Sequence, residues 1–295
     1  MKTTFRLAAL SLAAVATPAC SQDAATSYAD NAVEASSAFP DSAWRTVDPE
    51  NLMVIETTQG TVGVELYPEI APLHVAQIKT LVRDGFYDNV PFHRVIDGFM
   101  NQTGDGANGN GTGDSELPDI PAEFDFRRGE DMAVTLVGAR GDETAQVATG
   151  FYKALPVMTQ PISQAILTKD NKVLAMGLHC RGVTSAARTS DPNSANSQFF
   201  LMRGRADHLD GQYSIWGSTV MGRENLESFN IGTVGQDPVF EPDSMTRVRM
   251  ASDMPDAIRP TAQVLDPASP AFSNWIATQA YDDICDVELP TRTVD

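Results

Sequence analysis

The stretch from Val90 to Asp105 places a cation, an amide and apolar side chains close together in the chain. Arg94 carries a planar fork of N–H donors that stays charged at ordinary pH. Phe99 and Met100 provide apolar surface, and Gln102 follows them. Such a set can bind an apolar group beside a directed hydrogen-bond donor. A buried β-hairpin with one satisfied arginine has the same composition, so the rest of the chain must decide between the two interpretations.

Other catalytic chemistries find little support in the sequence. The four histidines, His74, His93, His179 and His208, have no paired spacing typical of metal ligands, and no Gly-x-Ser-x-Gly motif is present. We expect His74 on the surface of a helix and His93 inside the fold. The Gly-rich segment 104–116 lacks several of the oxygen ligands that a calcium loop needs. It also lacks the lysine that a phosphate-binding loop needs. We therefore predict that this segment is a backbone turn.

The composition describes a large, acidic, β-rich protein. The chain has 295 residues, a net charge of −18, and 21 glycines and 18 prolines that separate short apolar runs. This length allows one large domain or two small ones. The negative charge makes nucleic acid an unexpected partner, because it would repel the phosphate backbone.

The elements that must position the polar residues are mostly short strands. Residues 52–58 and 61–67 flank Gln59-Gly60 and predict a β-hairpin, and residues 71–85 predict an amphipathic helix. Further strands are predicted near 132–138, 172–180, 182–188, 197–202, 209–217 and 245–251, and a short helix over 223–229. About eight strands and two helices predict a mainly β protein, a closed eight-stranded antiparallel β-barrel capped by two helices.

The N-terminus is typical of an export signal over residues 1–19. Lys2 and Arg6 precede an apolar run too short to span a bilayer as a mature helix, and small residues before Cys20 provide a cleavage site. Cys20 resembles the lipidated cysteine of a lipoprotein signal. Residues 20–46, rich in Ala, Ser and Asp, predict a flexible tether. We expect an exported protein of the periplasm or cell envelope, with Cys20 as its candidate membrane anchor.

Two cysteines remain when Cys20 is set aside. An oxidising compartment would allow Cys180 and Cys285 to form a disulfide. Two separate buried thiols are the alternative, because free cysteine often packs as a small apolar residue.

Three blocks, in this order, resemble the cyclophilin family of peptidyl-prolyl isomerases. They are Phe-His-Arg-Val-Ile-Asp-Gly-Phe-Met-Asn-Gln at 92–102, Gly-Thr-Gly at 111–113, and Asn-Ser-Ala-Asn-Ser-Gln-Phe-Phe at 193–200 followed by Leu-Asp-Gly-Gln-Tyr at 209–213. The resemblance covers about residues 50–252. It implies a cyclophilin-like domain over 47–255 with an insertion at about 130–179, followed by an acidic C-terminal extension over 256–295.

The resemblance assigns roles to the residues of these blocks. Arg94 is implied to be catalytic, and Gln102 is implied to bind the substrate backbone and to hold the arginine. The implied proline pocket, its edge, its rim and the adjoining groove comprise Phe99, Met100, Ala187, Gln198, Phe200, His208, Leu209 and Tyr213. His208 and Tyr213 stand where many eukaryotic members have tryptophan and histidine. Ala186 and Arg188 stand where they have methionine and asparagine, and these departures bear on cyclosporin affinity more than on catalysis.

The implied reaction is rotation about the amide bond that precedes proline. The barrier is about 18–20 kcal/mol because the C–N bond has partial double-bond character. No covalent bond breaks, so no metal, cofactor or nucleophile is expected. We expect a monomeric isomerase of proline-containing polypeptides. The alternatives are a proline-binding chaperone or envelope scaffold with little catalysis, and a separate binding module in residues 130–179.

Overall fold

The structure, a computed structural model, describes residues 39–141 and 147–294. The predicted signal peptide and Cys20 lie outside the described residues. The strands, in chain order, are β1 (Trp44–Thr46), β2 (Leu52–Thr57), β3 (Gly60–Leu66), β4 (Val90–Pro91), β5 (Arg94–Ile96), β6 (Met100–Thr103), β7 (Phe126–Arg128), β8 (Thr135–Arg140), β9 (Val147–Tyr152), β10 (Leu155–Thr159), β11 (Val173–Gly177), β12 (Val183–Ala186), β13 (Phe199–Met202), β14 (Ile215–Met221), β15 (Gly232–Thr233), β16 (Ser244–Met250), β17 (Thr261–Leu265) and β18 (Thr291–Val294).

The helices are few and short. Helix α1 (Pro72–Arg83) confirms the helix predicted over residues 71–85, and its buried face carries Val75 and Ile78. Helix α2 (Pro270–Ile276) lies in the C-terminal extension. The 3₁₀ helices are Asp41–Ala43, Pro49–Asn51, Ile162–Leu167, Asp207–Leu209, Arg223–Glu227, Ala251–Asp253, Asp256–Ile258 and Ile284–Asp286, so the second predicted helix is a 3₁₀ helix. None of the described helices combines the length and apolarity needed to cross a membrane.

The main sheet has antiparallel strands in the order β15-β5-β6-β13-β12-β14-β3-β2-β16-β4. Eight of these strands have three or more residues, and the two at the ends, β15 and β4, have two. Strand β4 ends at Pro91 and β5 begins at Arg94, so only Phe92 and His93 separate one edge of the sheet from the other. The sheet must therefore curl. This confirms the predicted mainly β fold, with the two edges joined along the chain at Phe92-His93.

The inserted segment forms a sheet of its own. Its strand order is β7-β11-β10-β9-β8, again antiparallel, and it spans residues 126–177. The sheet therefore begins slightly before the insertion predicted at 130–179. Strands β7 and β11, through which the chain enters and leaves, are neighbours, with Val173 opposite Arg128.

The first strand of the described chain shares a sheet with the C-terminal extension. Strand β17 lies between β1 and β18 in a three-stranded sheet. The tether predicted over 20–46 is therefore wrong for its last residues, because Trp44 begins β1 and is buried, and it sits beneath the guanidinium of Arg292. The Ala, Ser and Asp content of the preceding residues concealed this strand. We call β1, the inserted sheet and residues 256–294 the accessory region.

The accessory region covers one face of the main sheet, so several strands are buried on both faces. In β2, Met53 and Ile55 point to one apolar cluster, which also contains residues of α1. Leu52 and Val54 point to a second cluster, which contains Phe151 of the insertion and apolar residues of the C-terminal extension. Alternate residues of a strand face opposite sides of its sheet, and here both sides are apolar.

Covalent and ionic links join the extension to the rest of the protein. Cys180 and Cys285 form a disulfide whose Cα atoms are 4.9 Å apart. Beside it, the Nε and Nη2 atoms of Arg140 each donate to Asp283 at 2.7 Å, and Nη1 donates to Asp210 at 3.0 Å. Arg140 thus ties the insertion to the extension and to the loop that follows the 3₁₀ helix Asp207–Leu209.

Candidate active site

A pocket of about 150 Å³ opens on the outer face of the main sheet. Strands β5, β6 and β13, the segment after β12, and the 3₁₀ helix Asp207–Leu209 provide its walls. The residues that line it are Arg94, Phe99, Met100, Gln102, Ala187, Arg188, Phe200, Leu209 and Tyr213. The structure therefore brings together eight of the ten predicted catalytic and substrate-binding residues in one cavity. Gln198 and His208 lie beside it.

Arg94 stands opposite Gln102 because the two residues pair across the β5–β6 hairpin. Its Nη1 atom donates to Oε1 of Gln102 at 3.2 Å. The guanidinium is half-buried, and no carboxylate in the described part of the chain forms an ion pair with it. Its charge therefore remains available to a ligand in the pocket.

Gln102 is held in turn by Gln198. The Nε2 atom of Gln102 donates to Oε1 of Gln198 at 3.2 Å, and Nε2 of Gln198 donates to the carbonyl oxygens of Gly111 and Gly113 at 3.2 and 2.8 Å. The glycine carbonyls can only accept hydrogen bonds, so the Nε2 atom of Gln198 must face them. The Oε1 atom of Gln198 then faces Nε2 of Gln102. We call Gln102, Gln198 and the two glycine carbonyls the amide relay, and this relay leaves Oε1 of Gln102 facing the arginine.

The Gly-rich segment owes its shape to Asp105. This carboxylate is buried and accepts from the backbone N–H groups of Asn108, Asn110, Gly111 and Gly113 at 2.8–3.1 Å. Burial alone would raise the pKa of Asp105, but these four donors lower it to about 2. The segment is a carboxylate-centred turn, as the glycine content indicated. Sequence reasoning missed Asp105, whose signal was an acidic residue followed by closely spaced glycines.

The apolar wall consists of Phe99, Met100, Phe200 and Leu209. Strand alternation sends Phe200 into the pocket and Phe199 into the opposite core, where it meets Tyr87 and Trp216. A buried histidine supports the wall from behind, with the His179 and Phe200 rings stacked 6.2 Å apart.

His179 is held in place by polar neighbours on both sides. Its Nδ1 atom lies 3.0 Å from Asp210, and Nε2 lies 3.2 Å from the hydroxyl of Ser185. The sequence placed His179 in a strand without assigning it this supporting position. His74, expected on the surface, is buried with Nδ1 2.6 Å from Glu123, because the chain after the Gly-rich segment covers α1.

The rim contains Ala187, Arg188, Tyr213 and His208. Arg188 stacks on the ring of Tyr213, with its guanidinium carbon 4.4 Å from the ring centroid. His208 is exposed and lies against Phe99, with ring centroids 5.8 Å apart, so it flanks the pocket without lining it. Sequence reasoning noted Arg188 as a substitution but did not place it among the site residues.

This arrangement suits binding and polarisation. An apolar slot adjoins a fixed guanidinium, and the pocket lining contains no cysteine, serine or carboxylate. Among the described residues, no group of three or more His, Cys, Asp and Glu side chains is placed to hold a metal ion. The pocket can grip a compact apolar ring and direct an N–H donor at a neighbouring atom.

Comparisons with known proteins agree with this geometry. The family model for cyclophilin type peptidyl-prolyl cis-trans isomerase/CLD matches residues 52–250. A probable peptidyl-prolyl cis-trans isomerase of Brucella suis is 35% identical over 217 residues, which cover 70% of this chain and 85% of the relative. The crystal structure of cyclophilin AquaCyp293 from Hirschia baltica is 40% identical, with a TM-score of 0.76, over 85% of this chain and 93% of that one. The chain therefore belongs to the cyclophilin-type peptidyl-prolyl cis-trans isomerases.

Proposed function

We propose that this isomerase acts on exported polypeptides and that Arg94 stabilises the twisted prolyl amide. The observation that carries the proposal is the Arg94 guanidinium, which Gln102 holds at the mouth of an apolar pocket without a neutralising carboxylate among the described residues. A free, oriented cation beside a slot of this size suits an X–Pro bond.

The chemistry follows from the loss of amide resonance. As the X–Pro bond turns, the prolyl nitrogen becomes pyramidal and its lone pair localises on the atom. Arg94 donates an N–H to this lone pair, and a preorganised donor directed at developing charge is worth about 10²–10³ in rate. Phe99, Phe200 and Leu209 hold the ring while the acyl half rotates. The ring and the donor are then fixed relative to each other, which confines the motion to one bond.

Export is supported by two independent features. The first is the charged and apolar segment at residues 1–19, which is typical of a signal peptide. The second is the Cys180–Cys285 disulfide, since disulfides persist in oxidising compartments. Fractionation of expressing cells, with the N-terminal mass of the recovered chain, tests this. A chain retained in the cytoplasm with an intact Met1 would contradict it, and fatty-acid labelling lost in Cys20→Ala would identify a lipid anchor.

The role of Arg94 is tested by Arg94→Ala on an X–Pro tetrapeptide. We expect kcat/KM to fall at least about 100-fold, because the donor to the prolyl nitrogen is lost, with the fold retained in circular dichroism. Arg127→Ala is the matched control, since Arg127 is an exposed arginine of the insertion paired with Asp170. An Arg94→Ala protein as active as wild type would refute the assignment.

The same assay separates the enzyme from a scaffold. If the wild-type chain binds proline peptides but does not accelerate isomerisation, and suppresses aggregation of unfolded envelope proteins, the chaperone function replaces catalysis. Size-exclusion chromatography with light scattering tests the monomeric state that we propose. A stable dimer would contradict that part alone.

A further inference from the structure

A second cavity continues from the proline pocket. This groove has a volume of about 300 Å³ and is lined by Gln102, Gly111, Thr112, Asp114, Ala187, Arg188, Thr189, Ser194 and Gln198. Gln102, Ala187 and Arg188 line both cavities, so the pocket and the groove share a wall. Successive Cα atoms of a peptide are 3.8 Å apart. A residue one or two positions from a bound proline can therefore enter the groove.

Arg188 is fixed at this shared wall. Its Nε and Nη2 atoms donate to the carbonyl oxygen of Gln212 at 3.0 and 2.9 Å, and Nη1 donates to the carbonyl of Thr189 at 2.8 Å. Stacking on Tyr213 holds the guanidinium plane. Both acceptors of these three hydrogen bonds are neutral backbone oxygens, so the positive charge is positioned without being cancelled. Two of its five N–H donors remain free for a ligand.

The absence of a carboxylate partner is unusual in this acidic chain. Apart from Arg94, Arg128 and Arg188, every arginine in residues 39–141 and 147–294 has a carboxylate within ion-pair distance. Arg128 is buried in the inserted sheet, where Thr159 accepts from its Nε atom at 2.6 Å. The two exceptions that reach a cavity mouth thus lie together at the proline site, within a chain of net charge −18.

One carboxylate in the groove opposes this charge. Asp114 belongs to the Gly-rich segment and lines the groove but not the proline pocket. Arg188 lines both cavities. Arg188 therefore borders the proline pocket and Asp114 does not, so the end of the groove that it shares with the pocket, its inner end, carries a positive charge.

We propose that Arg188 is a specificity-determining residue that favours substrates with a carboxylate side chain beside the proline. The inference rests on the isomerase activity proposed above and adds a substrate class to it. A Glu or Asp side chain at the inner end of the groove lies close to a guanidinium whose orientation is already set. A Lys side chain at the same position meets like charge.

The test is a set of proline peptides that differ only in charge beside the proline. Glu, Gln or Lys replaces one residue at a time at the two positions before the proline and the position after it, and kcat/KM is measured for each peptide. For wild type we expect the Glu peptide to exceed the Lys peptide about three- to fivefold at one of these positions. The ratio should approach one in about 1 M salt, because screening removes it.

Variants assign the preference to one side chain. Arg188→Gln should abolish the Glu-to-Lys ratio, Arg188→Lys should retain part of it, and Asp114→Asn should raise it. The ratio is internal to each variant, so a general loss of activity does not affect it. Equal rates on Glu and Lys peptides at all positions, or a ratio unchanged in Arg188→Gln, would overturn the proposal. Absence of activity on every peptide would instead refute the proposed function.

Discussion

The candidate active site and the accessory region use charged side chains in opposite ways. Arg140 of the accessory region is neutralised by Asp283 of the same region and by Asp210 outside it, and Glu288 of the region pairs with Arg181 of the adjoining chain. Burial alone would raise the pKa of Asp283, but Arg140 and the neighbouring backbone lower it below the ordinary range. At the pocket, Arg94 and Arg188 are held by neutral amides and carbonyls.

Arginines paired with carboxylates hold parts of the structure together, whereas arginines held by neutral groups are suited to binding a ligand. An arginine satisfied by a carboxylate has little electrostatic attraction left for a ligand. An arginine oriented by a neutral acceptor keeps its charge. At Arg94 the neutral acceptor is the Gln102 side chain, which must itself be held in position by Gln198. We therefore expect changes in the accessory region to affect stability more than turnover, and changes in the relay to do the reverse.

The disulfide offers the largest test of this contrast. Cys180 and Cys285 are 105 residues apart, and a cross-link over such a separation stabilises a protein by about 5 kcal/mol in the chain-entropy treatment. We expect the Cys180→Ala/Cys285→Ala variant to lose about that free energy of unfolding in urea, with kcat/KM within about twofold of wild type. Reductant should weaken wild type but not the variant. A wild type indifferent to reductant would contradict the prediction.

Asp105 combines a structural role with a position beside the candidate site, since its carboxylate stabilises the loop whose glycine carbonyls hold Gln198. Its pKa is lowered from 3.8 to about 2 in the folded protein. A lowered folded-state pKa adds stability above pH 4, and this contribution disappears as the pH falls towards 2. Asp105→Asn should therefore lose about 2 kcal/mol of unfolding free energy at pH 7 and little near pH 2.

The measurement is urea unfolding at several pH values between 7 and 2. Asp125→Asn, a change at an exposed carboxyl of the same chain, is the control and should match wild type throughout. A deficit of Asp105→Asn that stays constant across this pH range would show that the four backbone hydrogen bonds do not depend on the charge.

Substitution of Gln198 should have the smallest effect of the three, and it should lower turnover more than stability. Gln198→Leu removes the acceptor of Gln102 and the donor to the glycine carbonyls, so Arg94 is held less firmly. We expect a five- to tenfold fall in kcat/KM, about 1 kcal/mol, with a smaller change in stability. Gln164→Leu, on the exposed 3₁₀ helix of the insertion, should change neither. Full activity of Gln198→Leu would remove the relay from the mechanism.

The sequence predicted the parts of the site that depend on local pattern. Arg94 and Gln102 face each other because a short hairpin fixes their register, and Phe200 follows from strand alternation. The helix over residues 71–85 follows from its apolar spacing. Each of these depends on residues close in the chain, or on a block long enough to identify the family.

The remainder depended on contacts that no local pattern contains. The burial of His74 requires Glu123, and strand β1 requires β17 from the other end of the chain. Asp105 gains its importance from four backbone N–H groups that converge only when the loop is folded. The open charge of Arg188 depends on where carboxylates are absent, which a sequence does not record.

The insertion has a consequence for folding. It separates β6 from β13, the neighbouring strands that carry Gln102 and Phe200, so both sides of the pocket meet only after the intervening chain has been made. Its entering and leaving strands, β7 and β11, lie side by side. Once this excursion folds, its ends are already adjacent, and closure of the loop between β6 and β13 costs the entropy of a much shorter connection. A large inserted sheet can thus be added to the fold with little increase in the entropy lost when the two sides of the pocket come together.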